Sequence, residues 1–409
     1  MAEQAPSRLR PDHSIALLKG GVELFPALVE AIAAARVEVM LETYIFEFRG
    51  SVIPVAEALE QAAARGVRVR VVVDGVGTGD IPPAWRDRWA AAGVRWRVFN
   101  PARGWRLLLP QRWRRMHRKL CVVDGEVAFC GGINLLDDLW DPNHGPLEHP
   151  RLDFAVRVTG PLVADVHETM TRLWRRLQVM REASRSDIEG AWRAVRAAAS
   201  AGAEEGERPS VLTHGASAAL VLRDNFRFRR RIEATYRVSM ALARREIVVA
   251  NAYFLPGVRL QRALLAAARR GVKVTLLLQG RYEYFMPYHA SRAVYDVLLN
   301  AGIQIIEYES SFLHAKVAVM DSPLGDVATV GSSNLDPLSL LLAREANVFV
   351  RDDAFAQELR THLLEAMAEG HGRRVDPERH RSRPVHARAA TWLAYGLMRL
   401  SLLFLGKRY

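Results

Sequence analysis

AAARGVRVRVVVDG at Ala62–Gly75 and AAARRGVKVTLLLQG at Ala266–Gly280 are two copies of one unit, each a helix end, a glycine and then a buried strand. Upstream of each lies a further apolar strand after an Ala-rich helical stretch, VEVMLETYIF (Val37–Phe46) in the first copy and EIVVANAYFL (Glu246–Leu255) in the second. Downstream, AGVRWRVF (Ala92–Phe99) matches AGIQIIEY (Ala301–Tyr308). Three blocks in the same order make the chain an internal repeat. Within each copy, helical patterns alternate with short β-branched apolar runs, which predicts α/β units around a largely parallel or mixed sheet. Between the copies, ASAGAEEGERPSVLTHG (Ala199–Gly215) has the Gly, Ser, Pro and Glu content of a solvated linker. The expected organisation is a first half over 1–198, a linker over 199–215, a second half over 216–370 and a basic, amphipathic tail over 371–409.

At 409 residues, half of them hydrophobic, the chain is long enough for two or more ordinary domains. A formal charge of +12 and a pI near 10.1 favour an anionic partner, nucleic acid and acidic lipid being equally open on this ground. The two cysteines, Cys121 and Cys130, lie in apolar runs and read as buried small hydrophobes, so no disulfide framework is expected. Met1–Asp12 is polar and shows no cleavable signal, which predicts a chain that begins in the cytoplasm. Only five of the 57 basic residues are lysines, and two of those recur in matching contexts.

Those contexts are MHRKLCVVDGEVAFCGGINL (Met116–Leu135) and LHAKVAVMDSPLGDVATVGSSNL (Leu313–Leu335). Each holds a His, a Lys two residues later and an Asp five beyond the Lys: His117, Lys119, Asp124 and His314, Lys316, Asp321. Side chains at i and i+2 of a strand share a face, so each His and its Lys project together. Displacement at a phosphodiester needs a nucleophile, an acid for the leaving alkoxide and fixed positive charge for the non-bridging oxygens. Histidine supplies the first two and lysine the third. Asn134, Asn334 and Ser333 are candidate phosphate donors, while Gly131, Gly132 and Ser332 let backbone approach closely. No metal or cofactor is required. Asp124 and Asp321 complete the motifs, but their distance from the lysines suits a strand-end or turn role better than contact with substrate. The extra Ser322–Asp326 turn in the second copy is expected in a hairpin.

At these residues the chain resembles the phospholipase D superfamily, whose members carry two HxKxxxxD motifs. Within it the wording of RRMHRKLCVVDG, ANAYFLPG, VGSSNLDPLSL and EANV is similar to bacterial cardiolipin synthases, particularly the B type. The resemblance runs from about Ala16 to Glu369. It implies a duplicated α/β fold of two α/β/α sandwich halves related by a pseudo-two-fold axis, with one active site between them. It implies that His117 attacks phosphorus to give a phosphatidyl-histidine and that His314 is the acid and base. Glu345 is expected to orient His117, and Asp153 to orient His314, each from the opposite half.

Two segments bear on the substrate. RGWRLLLPQRWRRMHRK (Arg103–Lys119) interleaves apolar and aromatic groups with six arginines, which suits a lipid headgroup interface, although a nucleic-acid groove uses similar residues. RAATWLAYGLMRLSLLFLGKRY (Arg388–Tyr409) is apolar with one internal arginine, Arg399, and fits a helix lying in the interface better than one spanning it. A loop at Arg281–Phe285 follows a strand end and is a candidate rim of the substrate entrance. The expected partners are therefore phosphatidylglycerol and other anionic phospholipids at a membrane surface, not nucleic acid. The expected location is peripheral, on the cytoplasmic side of the inner membrane. The expected reaction joins two phosphatidylglycerol molecules into cardiolipin and glycerol. A phosphodiesterase, or a metal-independent nuclease of the same superfamily, is the alternative.

Overall fold

The valine-rich runs of the two repeats become central strands because both of their faces find apolar cover. In the computed structural model, which describes residues 9–101, 114–184, 215–223, 228, 230–336 and 343–404, the first half comprises β1 (Arg10–Lys19), α1 (Gly20–Ala34), β2 (Glu38–Thr43), α2 (Ile53–Ala64), β3 (Arg68–Asp74), α3 (Pro83–Ala92) and β4 (Arg95–Phe99). It continues through β5 (Arg115–Met116), β6 (Lys119–Val123), β7 (Val127–Gly131), the small ribbon β8 (Trp140–Asp141) and β9 (Gly145–Pro146), β10 (Phe154–Thr159) and α4 (Leu162–Ser184). The second half repeats the plan with β11 (Ala216–Arg223), α5 (Arg231–Leu242), β12 (Glu246–Asn251), α6 (Val258–Arg269), β13 (Lys273–Gln279), α7 (Phe285–Arg292), α8 (Tyr295–Asn300) and β14 (Gln304–Tyr308). There follow β15 (Lys316–Met320), β16 (Val327–Gly331), β17 (Ala343–Arg351), α9 (Asp353–Met367), β18 (Gly372–Arg374), α10 (Pro377–Arg381) and α11 (Val385–Phe404).

From the junction outward, the first half runs β1-β10-β7-β6-β2-β3-β4 and the second β11-β17-β16-β15-β12-β13-β14, the same order twice. In each, the outer three strands are parallel and the rest antiparallel, so the sheet is mixed. The halves join where β1 pairs antiparallel with β11, Arg10 opposite Ala218 and His13 opposite Ala216.

Strand alternation sorts the apolar side chains into layers. Val69, Val71 and Val73 of β3 face an outer core with α1, α2 and α3, while Val72 joins an inner core. Ala318 and Met320 of β15 likewise face the outer core of the second half, and Val317 and Val319 the inner one. The inner core draws on both halves and includes α4 and α9. Each buried Val or Leu contributes roughly 1.5–3 kcal/mol, so this shared layer holds the two repeats together as one body. Cys130 is buried in it and Cys121 in the outer core of the first half, and burial pushes both thiols up to about 12.

The motif aspartates are not in the catalytic set. Asp124, in the left-handed region at the β6–β7 turn (φ 52°), accepts the backbone N–H groups of Arg36, Val37 and Glu38 at 2.8 Å each. Asp321 does the same for Arg244, Arg245 and Glu246. Each is thus spent on pinning the start of a neighbouring strand, at the opposite end of its own strand from the Lys. The Ser322–Asp326 insertion forms the β15–β16 turn.

Residues 199–214 of the expected linker, 102–113 of the arginine-rich segment and 337–342 lie outside the described residues. The expected boundary at 370 does not separate a tail: β18 adds an antiparallel edge to β14, and α11 packs on α7.

Candidate active site

Polar residues at the ends of the repeated strands hold the backbone ahead of each motif histidine. Asp74, closing β3, accepts the Met116 N–H at 2.8 Å, and Gln279, closing β13, accepts the Leu313 N–H at 2.9 Å. Each histidine is then tied across to the other half. His117 N–H donates to the Arg344 carbonyl at 3.0 Å, and His314 N–H to the Leu152 carbonyl at 2.9 Å. β5 also pairs in parallel with β17, aligning Arg115 with Ala343.

The side chains follow the same exchange. His117 Nδ1 lies 3.2 Å from Glu345 Oε2 and 3.2 Å from the Ser332 carbonyl, while His314 Nδ1 lies 2.6 Å from Asp153 Oδ2. With Nδ1 engaged, Nε2 is the nitrogen each ring presents for chemistry. Lys119 Nζ donates to the His117 carbonyl at 2.7 Å, and Lys316 Nζ to the His314 carbonyl. Both lysines are buried, and the charge of each lowers the affinity of the other site's groups for protons. Burial, with Lys316 opposite, brings Lys119 down to about 7; burial brings Lys316 down to about 8. Burial lowers both histidines too, reinforced for His117 by Lys119 and for His314 by Lys316, Lys119 and His117. The two motifs therefore form one electrostatic unit. Concentrated, poorly solvated positive charge of this kind suits a bound phosphodiester anion.

The halves are not equivalent at the carboxylates. Burial works to raise Glu345, but His117, Lys119 and Ser332 hold it below the usual range; Ser332 donates its hydroxyl to Oε2 at 2.5 Å. At the corresponding place in the first half stands Gly132, where a Cβ would come within 2.3 Å of Asp153 Oδ1. Asp153 has no serine hydroxyl there, and burial raises it to about 6. His117 thus faces the more firmly ionised partner.

Asn134 lines a cavity of about 100 Å³ that His314 and Asp153 also line, with Asp138, Arg151, Glu283 and Tyr284 on its walls. Asn334 is buried beyond β16. Ser333, expected to meet phosphate, is fully buried, and its hydroxyl donates to the Asn334 carbonyl at 3.4 Å; the turn after β16 directs Ser332 to Glu345 instead. Glu283 takes a 2.6 Å bond from the Tyr253 hydroxyl, and its carboxyl is raised by burial. Tyr44, with its ring centroid 5.0 Å from that of His117, lies under Lys119. Sequence reading passed over Asp74, Gln279, Tyr44 and Tyr253. The signal for the first two was present: VVVDG and LLLQG end both strands on a polar residue before glycine.

These shifts set a pH dependence. Because kcat/KM reports the free enzyme, it is expected to fall as pH rises through about 7 to 8, where Lys119 and Lys316 lose their protons and the site its attraction for an anion. Rates from pH 5 to 10 check this; a profile flat to pH 10 would remove the lysines from phosphate binding.

The chain matches the family described as "Cardiolipin synthase, PLD-like domain" over residues 28–147 and 237–367. It is 39% identical over 355 residues to cardiolipin synthase B of Salmonella typhi, spanning 87% of this chain and 80% of that one. It is 38% identical over 354 residues to cardiolipin synthase B of Escherichia coli K12, with the same coverage, 87% and 80%. In structure it is similar to phosphatidylserine synthase of Haemophilus influenzae Rd KW20, with a TM-score of 0.67 at 13% identity, covering 98% of this chain and 96% of that one. That likeness is one of fold.

Proposed function

Because the chain belongs to the cardiolipin synthase family of phospholipase D-like proteins, we propose that it is a phosphatidyltransferase that makes cardiolipin by joining two molecules of phosphatidylglycerol. The observation that carries this reading is the crossed pair of histidine–carboxylate contacts, His117 with Glu345 and His314 with Asp153, around two buried lysines.

His117 Nε2 attacks phosphorus of the first phosphatidylglycerol, and the bond from phosphorus to the headgroup oxygen breaks. The departing glycerol takes a proton from His314, leaving a phosphatidyl-histidine. A headgroup hydroxyl of the second phosphatidylglycerol then attacks phosphorus, gives its proton to His314 and displaces His117. Two phosphatidylglycerols become one cardiolipin and one glycerol. Lys119 and Lys316 offset the phosphoryl charge in both steps. His314 is neutral in the empty site, and the phosphodiester anion favours the proton it must later donate. Glu345, the carboxylate held low, supports the ring that becomes a cation on attack, and for this reason His117 takes the nucleophile's role. The cavity walled by Asn134, Asp138, Arg151 and Glu283 suits a hydroxyl-rich headgroup, with acceptors for its O–H groups and donors for its oxygens.

The membrane reading rests on α11. One side, with Ala394 and Met398, is buried, while Trp392, Leu393, Leu397 and Leu400 remain exposed. Among the described residues no helix is long and apolar enough to cross a membrane. An interfacial helix is the physical alternative, and the proposal is a peripheral enzyme, assigned to the cytoplasmic side of the cell membrane on the polar start of the chain alone.

Incubating the purified chain with phosphatidylglycerol vesicles is expected to yield cardiolipin and glycerol in equal amounts by mass spectrometry. Phosphatidic acid as the main product would make water the acceptor and the enzyme a hydrolase. Unconsumed phosphatidylglycerol would end the proposal.

A further inference from the structure

A second cavity, of about 350 Å³, lies outside the catalytic centre at the root of α11. It is within the roughly 300 to 1,000 Å³ range of small-molecule sites. Its walls carry Arg292 and His289 from α7, Arg373 from β18, Arg379 and His380 from α10, and Arg383 from the turn into α11. Two carboxylates, Glu307 and Asp376, also line it, and from outside the lining Glu309 accepts from Arg373 Nε at 2.7 Å and Asp296 lies 3.8 Å from His380 Nε2.

The acids are already committed. Glu307 is shared between Arg292 at 2.5 Å and Arg373 at 2.6 Å, and Asp376 caps α10 by accepting the Arg379 N–H at 2.8 Å. Arg383 instead donates to the His380 carbonyl and to His380 Nε2, both at 2.8 Å. Burial and the Arg383 charge bring His380 down to about 4, so the ring is uncharged and Nε2 accepts. Burial and the neighbouring Arg292 also depress Arg383 itself. Guanidinium groups gathered in one cavity are further stabilised by an anion that accepts their forked N–H groups, and phosphate has that geometry.

Two features say which phosphate. Apolar side chains of α11 that face outward, Trp392 at 59% and Leu393 at 58% exposure, lie about one and a half turns after the cavity's Ala387. Charge at a headgroup level with aromatic and aliphatic groups beside it matches an anionic bilayer surface. In addition, α7 connects the two cavities. Glu283 and Tyr284, just ahead of it, line the catalytic cavity, and Tyr288, His289 and Arg292 within it line this one. A helix of eight residues is about 12 Å long.

We infer that this arginine cavity binds the phosphate headgroup of an anionic phospholipid in the bilayer, as a docking site separate from the catalytic centre, and so seats α11 with the catalytic cavity close to the lipid surface. The inference rests on the reading of α11 as an interfacial helix.

The test is binding of the full chain to vesicles of phosphatidylcholine alone and of phosphatidylcholine with phosphatidylglycerol, alongside turnover of dispersed short-chain phosphatidylglycerol. For the R379S/R383S variant, affinity for the anionic vesicles is expected to drop about ten- to thirty-fold. Its binding to phosphatidylcholine vesicles and its turnover of dispersed substrate should stay within about twofold. The W392S/L393S variant should lose binding to both vesicle types. Unchanged preference for anionic vesicles in R379S/R383S would overturn the inference. So would wild-type binding that ignores phosphatidylglycerol, or that inorganic phosphate at low millimolar concentration abolishes, since the site would then be one for the free ion. If R379S/R383S loses turnover, R379K/R383K decides: retained anionic preference supports the site, and its loss in a chain that still turns over refutes it. Wild-type protein that binds neither vesicle would instead refute the interfacial reading of α11.

Discussion

Replacing His117 by alanine is expected to reduce cardiolipin formation by roughly 10⁴-fold or more, because no other group is placed to form the covalent bond to phosphorus. His314→Ala should be comparably inactive on phosphatidylglycerol, whose glycerol alkoxide cannot leave without a proton; loss of a general acid costs about 10² to 10⁴. The two losses separate on a substrate whose leaving group needs no acid. With a p-nitrophenyl phosphodiester, H314A is expected to release one burst of nitrophenol and accumulate a phosphorylated His117, detectable by intact mass. H117A should give no burst. The reverse pattern would exchange the two roles, and full activity in both variants would remove the histidines from the mechanism.

Glu345→Gln is expected to lower kcat by roughly 10² to 10⁴, the range in which a mispositioned or wrong-tautomer imidazole falls. The reason lies in the two acceptors at His117 Nδ1, Glu345 Oε2 and the Ser332 carbonyl. The amide is uncharged and its NH2 competes as a donor, so the ring keeps less of its push toward phosphorus. Asp153→Asn should act on His314 in the same way, with a smaller loss, because that carboxyl, raised to about 6 by burial, is the less firmly ionised of the two. KM for phosphatidylglycerol should change little in either variant, since neither carboxylate is proposed to touch substrate. A shift confined to KM, or an E345Q enzyme with wild-type kcat, would reduce these carboxylates to packing roles. Both variants need a thermal unfolding control, because each removes a buried charge from a lysine-rich pocket.

Both arguments begin in residues that the amino-acid sequence places in plain view. The duplicated HxKxxxxD strings and the repeated strand blocks were legible because a strand's period of two and a helix's of 3.6 are local properties. They forecast the mixed α/β halves, and each His with its Lys does sit at the head of a strand. The alternation of Val69 to Val73 between an outer and an inner layer was implied by the same pattern. Asp124 and Asp321 show its limit. Their spacing from the lysines pointed to a strand-end or turn role, but not to their partners, which are backbone N–H groups 75 to 88 positions away along the chain.

What belongs to the sequence alone, then, is the repeat, the pair of motifs and the apolar strands that carry them, since each depends on residues a few positions apart. Tertiary structure decided how far apart in charge the two copies became: Ser332 against Glu345 in one, Gly132 against Asp153 in the other, a difference that exists only once β17 and β10 deliver their carboxylates to rings from the opposite half. It also decided that the arginines of α7, β18 and α10 share one cavity, because positive charges dispersed over ninety residues act together only when folding brings them within a few ångströms and takes away the water that would screen them.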